Sequence, residues 1–394
     1  MPETGSSTGY GSPENVMKTS KNDQPRLISS GFVALDIVIG IEDPLTPRFY
    51  GGGTTGNVTA ALSYLGWQAT PISRLSSDEA GDFVKTDLER WGVDTTHLAE
   101  GSPCPTPIVV EKIFLGKDGA PKHRFFWTCP DCGAYFPSYR PVLAEAVEHL
   151  KPGITSASAF FTDRVSRSTL ALAEHCKSKG AVVIFEPSGV QDPAHFVEML
   201  RLCDVLKYSD QRAKGFSDLL SNHEAALEIQ TLGAEGLRFL LRGHNRTVSW
   251  VSLASYDVKI KDTAGAGDWT SAGLIHQLFS NGRRSLRGLT KAKVTEALAY
   301  GQALAALNCQ FEGARGAMYQ LPKKKFVERV TDLQSRSTGY KSRAEVEEAS
   351  SDRIVRMRVC PSCLDHETGL KQTASKRNTL VNKTEDDSVI ATSK

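Results

Sequence analysis

No stretch of this 394-residue chain approaches the ~18 consecutive apolar residues that a membrane-spanning helix needs, so no membrane span is expected. The N-terminus also lacks the charged-then-apolar order of a secretory signal, and a cytoplasmic location is the expectation that follows. Charge of one sign is missing too, since 47 Lys and Arg face 45 Asp and Glu for a formal net charge of +2. With no strong global field, neither nucleic acid nor a lipid surface is an expected partner, and small-molecule chemistry is favoured. Apolar anchors are scarce at both ends. Residues 1–25 and 365–394 are rich in Ser, Thr, Asn and Lys, and such segments bury too little surface to offset the entropy of ordering. Both are expected to be disordered.

Hydrophobic residues make up 40% of the chain, enough to bury one large α/β core between those ends. Leu27-Ile28 with Phe32 to Ile39 reads as a first strand, residues 56–65 as a helix and Ala69 to Ile72 as a strand. Asp78 to Trp91 reads as a helix capped by Ser76 or Ser77. Val142 to Leu150 and Ser166 to Lys179 follow as helices, with Ala159 to Thr162 and Ala181 to Phe185 as short apolar strands. Strands alternating with helices imply a mostly parallel sheet covered on both faces, with ligands beyond the carboxyl ends of the strands.

The richest stretch is Asp262-Thr263-Ala264-Gly265-Ala266-Gly267-Asp268, followed by an apolar segment and preceded by Val258 and Ile260 alternating with charged residues. The local reading is strand, glycine-rich turn, helix. Unpaired N–H groups and partial positive charge at a helix start favour phosphate oxygens. Gly265 and Gly267 let the backbone approach such a ligand, and Asp268 stands ready to accept a hydroxyl proton. The alternative is an ordinary turn with Asp268 as N-cap.

A second glycine cluster, Gly51-Gly52-Gly53-Thr54-Thr55-Gly56-Asn57, precedes Ala60-Ala61-Leu62 and Leu65-Gly66. Together the two clusters resemble the ribokinase-like (PfkB) carbohydrate kinases, which carry Gly-Gly-x-x-x-Asn early and Asp-Thr-x-Gly-Ala-Gly-Asp late. Val182 to Ser188, Asp204 to Lys207 and Thr231-Leu232-Gly233-Ala234-Glu235-Gly236 resemble further landmarks of that family. The resemblance spans about residues 26–322. It implies an α/β fold, a ribokinase-like mostly parallel sheet with helices on both faces and a small β lid at about 104–137. A charged extension follows at 323–364.

The resemblance also implies roles. Asp268 would be the base, with the amides of Ala264, Gly265, Ala266 and Gly267 as the anion hole. Asp36, Gly52, Gly53 and Asn57 would hold sugar hydroxyls. Lys207, Ser209, Thr231, Gly233, Gly236, Thr263, Asn308 and Gly313 would lie on the nucleotide side, with ATP as donor and Mg²⁺ as its metal. Read from the residues alone, Asp36 is equally a structural carboxylate held by the Gly51 to Gly53 amides, and Asn57 a helix cap. Arg164, after an apolar strand, has the planar fork to grip a phosphate or carboxylate on the acceptor, or else pairs with Asp163 or Glu186. The lysines and His123 between Lys112 and Arg124 would only solvate the lid.

Three features depart from the family pattern. Ser209-Asp210-Gln211-Arg212 stands where Asn-x-x-Glu is usual, with Asp210 as a substitute carboxylate two positions off register. Glu186-Pro187-Ser188 replaces Asp-Pro-Asn. Two Cys-x-x-Cys knuckles are additions: Cys129-Pro130-Asp131-Cys132-Gly133 and Cys360-Pro361-Ser362-Cys363. Four thiolates form a closed tetrahedral Zn²⁺ site, although the wide separation of the pairs leaves a dithiol redox pair or two unrelated pairs open. Disulfides are not expected in a reducing compartment, and Cys104, Cys176, Cys203 and Cys309 read as packing residues. The segment from Thr106 to Phe136, with its Gly116-Lys117-Asp118-Gly119 turn, reads as a β-hairpin. In the resembled family this lid often forms a homodimer surface.

The expected activity is phosphorylation of a hydroxymethyl group on a sugar or sugar-like molecule. Nucleoside kinase is the nearest alternative, because Phe126, Trp127 and Tyr135 in the lid can stack on a base. A non-catalytic scaffold with a zinc-anchored tail is the other.

Overall fold

Short apolar runs alternating with helix-length amphipathic segments build two sheets of unequal size. The computed structural model of the protein describes residues 24–98, 104–242, 249–335 and 359–363. In chain order the strands are β1 (Arg26–Ser30), β2 (Ala34–Ile39), β3 (Arg48–Gly52), β4 (Gln68–Ile72), β5 (Ile108–Leu115), β6 (Pro121–Phe126), β7 (Ala159–Thr162), β8 (Val182–Phe185), β9 (Val205–Ser209), β10 (Leu227–Thr231), β11 (Leu237–Leu241) and β12 (Val251–Leu253). The large sheet has the order β12-β11-β10-β9-β8-β7-β1-β4, parallel except for β11 and β12 at one edge. The small sheet has the order β3-β2-β5-β6.

Successive residues of the central strands enter opposite layers. Leu27, Phe161 and Ile184 pack with Trp269 and Leu304 on one side. Ile28, Phe160, Val183 and Phe185 pack with Leu172 and Phe196 on the other. A strand buried on both faces has no polar face to present, which is why these segments read as continuous apolar runs.

Four expectations need correction. The stretch from Leu27 to Ile39 is not one strand: β1 lies in the large sheet and β2 in the small one, with the chain crossing between them at Gly31 (φ 157°) and Phe32. Asp36 therefore belongs to the lid sheet, and β2 and β3 extend the lid beyond the 104–137 hairpin. Second, no strand is assigned around Val258 and Ile260; the chain there runs extended beside the end of helix Lys291–Asn308, with Lys261 N donating to Cys309 O at 2.8 Å. Third, Asp78 rather than Ser76 or Ser77 caps helix Glu79–Arg90, accepting from Gly81 N at 2.8 Å. Fourth, residue 322 is not the edge of the core. Helix Lys323–Ser335 inserts Phe326, Val330 and Leu333 into the layer that holds Trp269. The expectations for 1–25 and 365–394 fall, apart from Gln24 and Pro25, outside the described residues. No helix among the described residues is long and apolar enough to cross a membrane.

Helix Ala266–Leu278, which carries the late glycine motif, packs tightly on helix Lys291–Asn308. A Cβ on Gly273 would fall 2.5 Å from Gly301 Cα, and one on Gly301 would fall 2.7 Å from Thr270 O. Two glycines thus set the separation of these helices. Gly301→Val is expected to destabilise the fold by about 1–3 kcal/mol through overpacking, read as a lowered denaturant midpoint. An unchanged midpoint would mean that the helices can separate freely.

Candidate active site

Gly53 follows β3 with φ 78° and caps helix Thr54–Tyr64. The positive φ suits glycine, and a Cβ there would also meet Phe32 O at 2.5 Å. Next to it, Gly52 leaves room for a side chain from the neighbouring strand: a Cβ at 52 would sit 1.8 Å from Asp36 Oδ2. Asp36 accepts from Gly53 N at 3.3 Å. Burial, opposed by that bond and by the Arg315 charge, lifts its pKa to about 7.

The late motif meets this helix from the other end of the chain. Gly265 caps helix Ala266–Leu278 in the left-handed conformation, φ 72°, and a Cβ there would strike Ala314 O at 2.2 Å. Asp268 lies in the first turn and is not the N-cap. Its Oδ2 accepts from Asn57 Nδ2 at 2.8 Å, so the helices that follow the two glycine clusters meet side chain to side chain. Asn57 is not a cap either. Burial first, and the charge of Glu186 next, raise the Asp268 pKa to about 7 against the Asn57 bond and the Lys207 and Arg212 charges. The N–H groups of Gly267 and Asp268 have no intrahelical partners at this position.

Behind Asn57 stands Arg315, a residue with no signal in the sequence beyond its place after Gly313-Ala314. Its Nε donates to Asn57 Oδ1 at 3.1 Å, and its Nη2 donates to Gly51 O and to Asp87 Oδ2, the latter at 3.0 Å. Asp87 also accepts from Gly51 N at 2.8 Å and from the Tyr319 hydroxyl at 2.6 Å. Both residues are buried. By holding Asn57 Oδ1, the guanidinium directs the amide N–H₂ at Asp268.

A central position on one side of the recess belongs to a buried pair, Lys207 Nζ to Glu186 Oε1 at 2.5 Å, with Ser271 Oγ donating to Glu186 Oε2 at 2.6 Å. A Cβ on Gly267 would lie 3.3 Å from Glu186 Oε1, which places the pair directly under the turn.

The sequence matches the description "pfkB family carbohydrate kinase" over residues 41–320. The chain belongs to that family. It is therefore a carbohydrate kinase by descent and fold. An ATP-dependent ribose-1-phosphate kinase of Halopiger xanaduensis is 26% identical over 314 residues, 74% of this chain and 94% of that protein. A fructokinase with bound ATP from Xylella fastidiosa superposes with a TM-score of 0.59 at 21% identity, covering 78% of this chain and 99% of that one. An Arabidopsis thaliana ribokinase complexed with ribose and ATP gives a TM-score of 0.56 at 18% identity over 80% and 100% of the two chains.

In this pfkB kinase several expected nucleotide-side residues turn out to build the turn. Asn308 is fully buried, its Nδ2 donating to Gly313 O at 3.2 Å and Ala314 O at 3.1 Å while Oδ1 accepts from Ala317 N at 3.2 Å. That saturated amide supports the turn from behind and presents nothing to a ligand. Gly313 N donates to Asp262 Oδ2 at 2.8 Å. Lys207 is engaged by Glu186, and Ser209 caps the short helix Asp210–Ala213. Thr231 ends β10, Gly233 is exposed and Gly236 packs so close to β12 that a Cβ would meet Leu253 O at 2.1 Å. Thr263 is exposed beside His123.

Arg164 pairs with Asp163 (3.3 Å), not Glu186, and its guanidinium lies over the rings of Phe32 and Tyr139. Asp163 is itself a brace, accepting from Phe32 N at 2.8 Å and Thr55 Oγ1 at 2.6 Å. The lid hairpin forms as expected, β5 with β6, but His123 does more than solvate it: its Nδ1 lies 3.1 Å from Asp262 Oδ1. The four cysteines converge, with Cys129 Sγ 4.0 Å from Cys363 Sγ and Cys132 Sγ 3.7 Å from Cys360 Sγ. All eight cysteines are free thiols, and Cys104, Cys176, Cys203 and Cys309 are buried as packing residues. Leu115, Phe125, Trp127 and Tyr135 are exposed on and beside the hairpin.

Gly52→Ala would push a methyl group into Asp36. Losing a bond to a charged group is worth about 1.5–3 kcal/mol, so KM for the acceptor should rise roughly 10- to 100-fold. A steady-state KM within twofold of wild type would remove Asp36 from the acceptor site.

Proposed function

We propose that the protein transfers the γ-phosphoryl group of ATP to a hydroxymethyl group of a sugar or sugar-like molecule. One observation carries this reading: Asn57, at the start of the helix after the first glycine cluster, donates to Asp268 Oδ2 at 2.8 Å at the start of the helix after the second, with Arg315 Nε holding the asparagine from behind at 3.1 Å. Asp36, Gly52, Gly53 and Asn57 bind the acceptor hydroxyls. As the acceptor oxygen attacks the γ-phosphorus, its proton passes to the Asp268 carboxylate and the bond from phosphorus to the departing ADP oxygen breaks. The amides from Ala264 to Gly267 receive the charge on the transferring group.

The Lys207–Glu186 pair keeps one further carboxylate under the turn, where it would hold a Mg²⁺ that accompanies the triphosphate and neutralises its charge. Thr231, Gly233 and Gly236 contribute backbone to the nucleotide side, with Thr263 at its entrance. Arg164, paired with Asp163, would meet an anionic group on the acceptor. Sugar phosphates, such as the one named for the Halopiger relative, therefore belong beside free hexoses, pentoses and nucleosides in a panel read by ADP release.

A protonated Asp268 cannot accept the acceptor's proton. Because its pKa is raised, the competent form accumulates only as pH rises through about 7, and kcat/KM should fall on the acid side of that value. Asp268→Asn keeps the shape and removes the base, and kcat should drop by about 10²–10⁴-fold with the fold unchanged. Wild-type turnover by that variant would exclude Asp268 as the base.

The same reading gives the four cysteines a structural Zn²⁺. Tetrahedral Zn–S bonds of ~2.3 Å require S···S edges of roughly 3.8 Å, close to the 3.7 and 4.0 Å of the two cross pairs. A reducing cytoplasm keeps such thiols available to metal. The ion would tie Cys360 and Cys363 to the lid's root, where Cys129, Phe136 and Cys360 pack with Ile108 and Val110. Purified protein should hold one zinc per chain, lost in Cys132→Ser together with a lowered unfolding temperature. Metal-free protein with four reduced thiols and an unchanged unfolding temperature would refute the site.

A further inference from the structure

The lid and the phosphate turn are joined by a second cluster, unrelated to the cysteines. Glu111 on β5 and His123 on β6 are diagonal neighbours on one face of the hairpin, since Glu111 pairs with Phe125 and His123 with Ile113. Both reach Asp262, the residue that opens the glycine turn. His123 Nδ1 lies 3.1 Å from Asp262 Oδ1 and 3.6 Å from Glu111 Oε1. One ligand atom from each of the three residues fits within 4.8 Å of the others.

Glu111 is the member that demands explanation. It is only 2% exposed, and its Oε1 accepts no hydrogen bond although it is aimed at the cluster. A buried carboxylate oxygen with no hydrogen bond, and with only His123 Nδ1 near it at 3.6 Å, is expensive and is normally resolved by a cation or a proton. Three more carboxylates, Asp262, Asp36 and Glu312, act on it with the same sign. The cations nearby are committed elsewhere: Arg48 pairs with Glu312, and Arg315 with Asp87. His123 faces the pair Glu111 and Asp262, 3.6 and 3.1 Å from one oxygen of each. The region has a surplus of buried negative charge and a ready set of ligands.

We propose that Glu111, His123 and Asp262 form a binding site for a divalent transition ion that links the lid to the phosphate turn. The imidazole nitrogen decides the class of ion. Mg²⁺, Ca²⁺ and alkali ions prefer all-oxygen sets, whereas one imidazole with two carboxylates suits Mn²⁺, Co²⁺, Ni²⁺ or Zn²⁺. Asp262 is already held in place: Ala264 N at 3.0 Å and Gly313 N at 2.8 Å each donate to one of its oxygens, which orients the carboxylate as outer partners of a metal ligand do. Thr263 Oγ1 lies 3.3 Å from the same His123 nitrogen, so an ion here would sit one residue ahead of the anion-binding amides. The cluster draws nothing from the cysteines or from Asp268, and it stands or falls apart from the kinase reading.

Co²⁺ distinguishes the two metal centres by colour. Full-length protein, first loaded with one zinc and freed of nucleotide and sugar, would be titrated with Co²⁺ alone. A further equivalent should bind with weak visible bands and no thiolate charge-transfer absorption, and the unfolding temperature should rise with it. His123→Ala, a partly exposed position that should fold normally, is expected to abolish that equivalent. Glu111→Gln should weaken it by at least about tenfold. Cobalt entering only with thiolate charge-transfer bands would overturn the site, as would binding unaltered in both variants or binding that appears only with ADP present.

Discussion

The hydrogen bond from Asn57 to Asp268 is the contact on which the recess depends. It joins two helices that begin more than two hundred residues apart in sequence, each immediately after a glycine turn whose backbone is open to a ligand. The bond partly offsets the burial that raises the aspartate's pKa, and it points one carboxylate oxygen along a fixed line. Arg315 removes the remaining freedom. With its Nε on Asn57 Oδ1 and its Nη2 shared between Gly51 O and Asp87, the asparagine amide cannot turn over without losing a buried charge-assisted bond. Orientation of the Asp268 carboxylate is thereby set three residues deep.

Electrostatics organises the rest. The recess gathers Asp36, Glu111, Asp262, Asp268 and Glu186 with few cations among them, and each carboxylate is handled differently. Asp262 is satisfied by backbone amides and His123, and its pKa is held below the usual range despite burial. Glu186 is matched by Lys207. Burial lifts Asp36 and Asp268 to about 7, a range in which a carboxyl group can exchange a proton near neutrality, whereas one oxygen of Glu111 is left without a hydrogen bond. The helix starts after the glycine turns supply positive dipoles that oppose such a concentration where no side chain fits.

Much of the site was legible in the sequence because its chemistry is local. Gly265 and Gly267 are needed for a left-handed cap and for the closeness of Ala314 and Glu186, and such needs leave the same mark wherever they arise. The two Cys-x-x-Cys knuckles were legible for a similar reason, and the four sulfurs that the sequence suggested as one set do converge. Arg315, Asp87 and His123 carried no local signature. An arginine in a loop, an aspartate on an amphipathic helix and a histidine on a hairpin each look like solvated surface until the partners arrive from elsewhere. Asn308 erred the other way: its position suggested a ligand contact, and full burial turned it into a brace.

What the sequence by itself determined was the α/β class, the two glycine turns and the lid hairpin, since periodicity and backbone conformational needs are written over a few adjacent residues. Only the tertiary structure decided which sheet Asp36 belongs to, that Asn57 faces Asp268, and that Glu111, His123 and Asp262 share one small volume. Those facts depend on how β1 and β2 part into separate sheets and how far two glycine-bearing helices approach, and such distances arise from packing between segments remote in the chain.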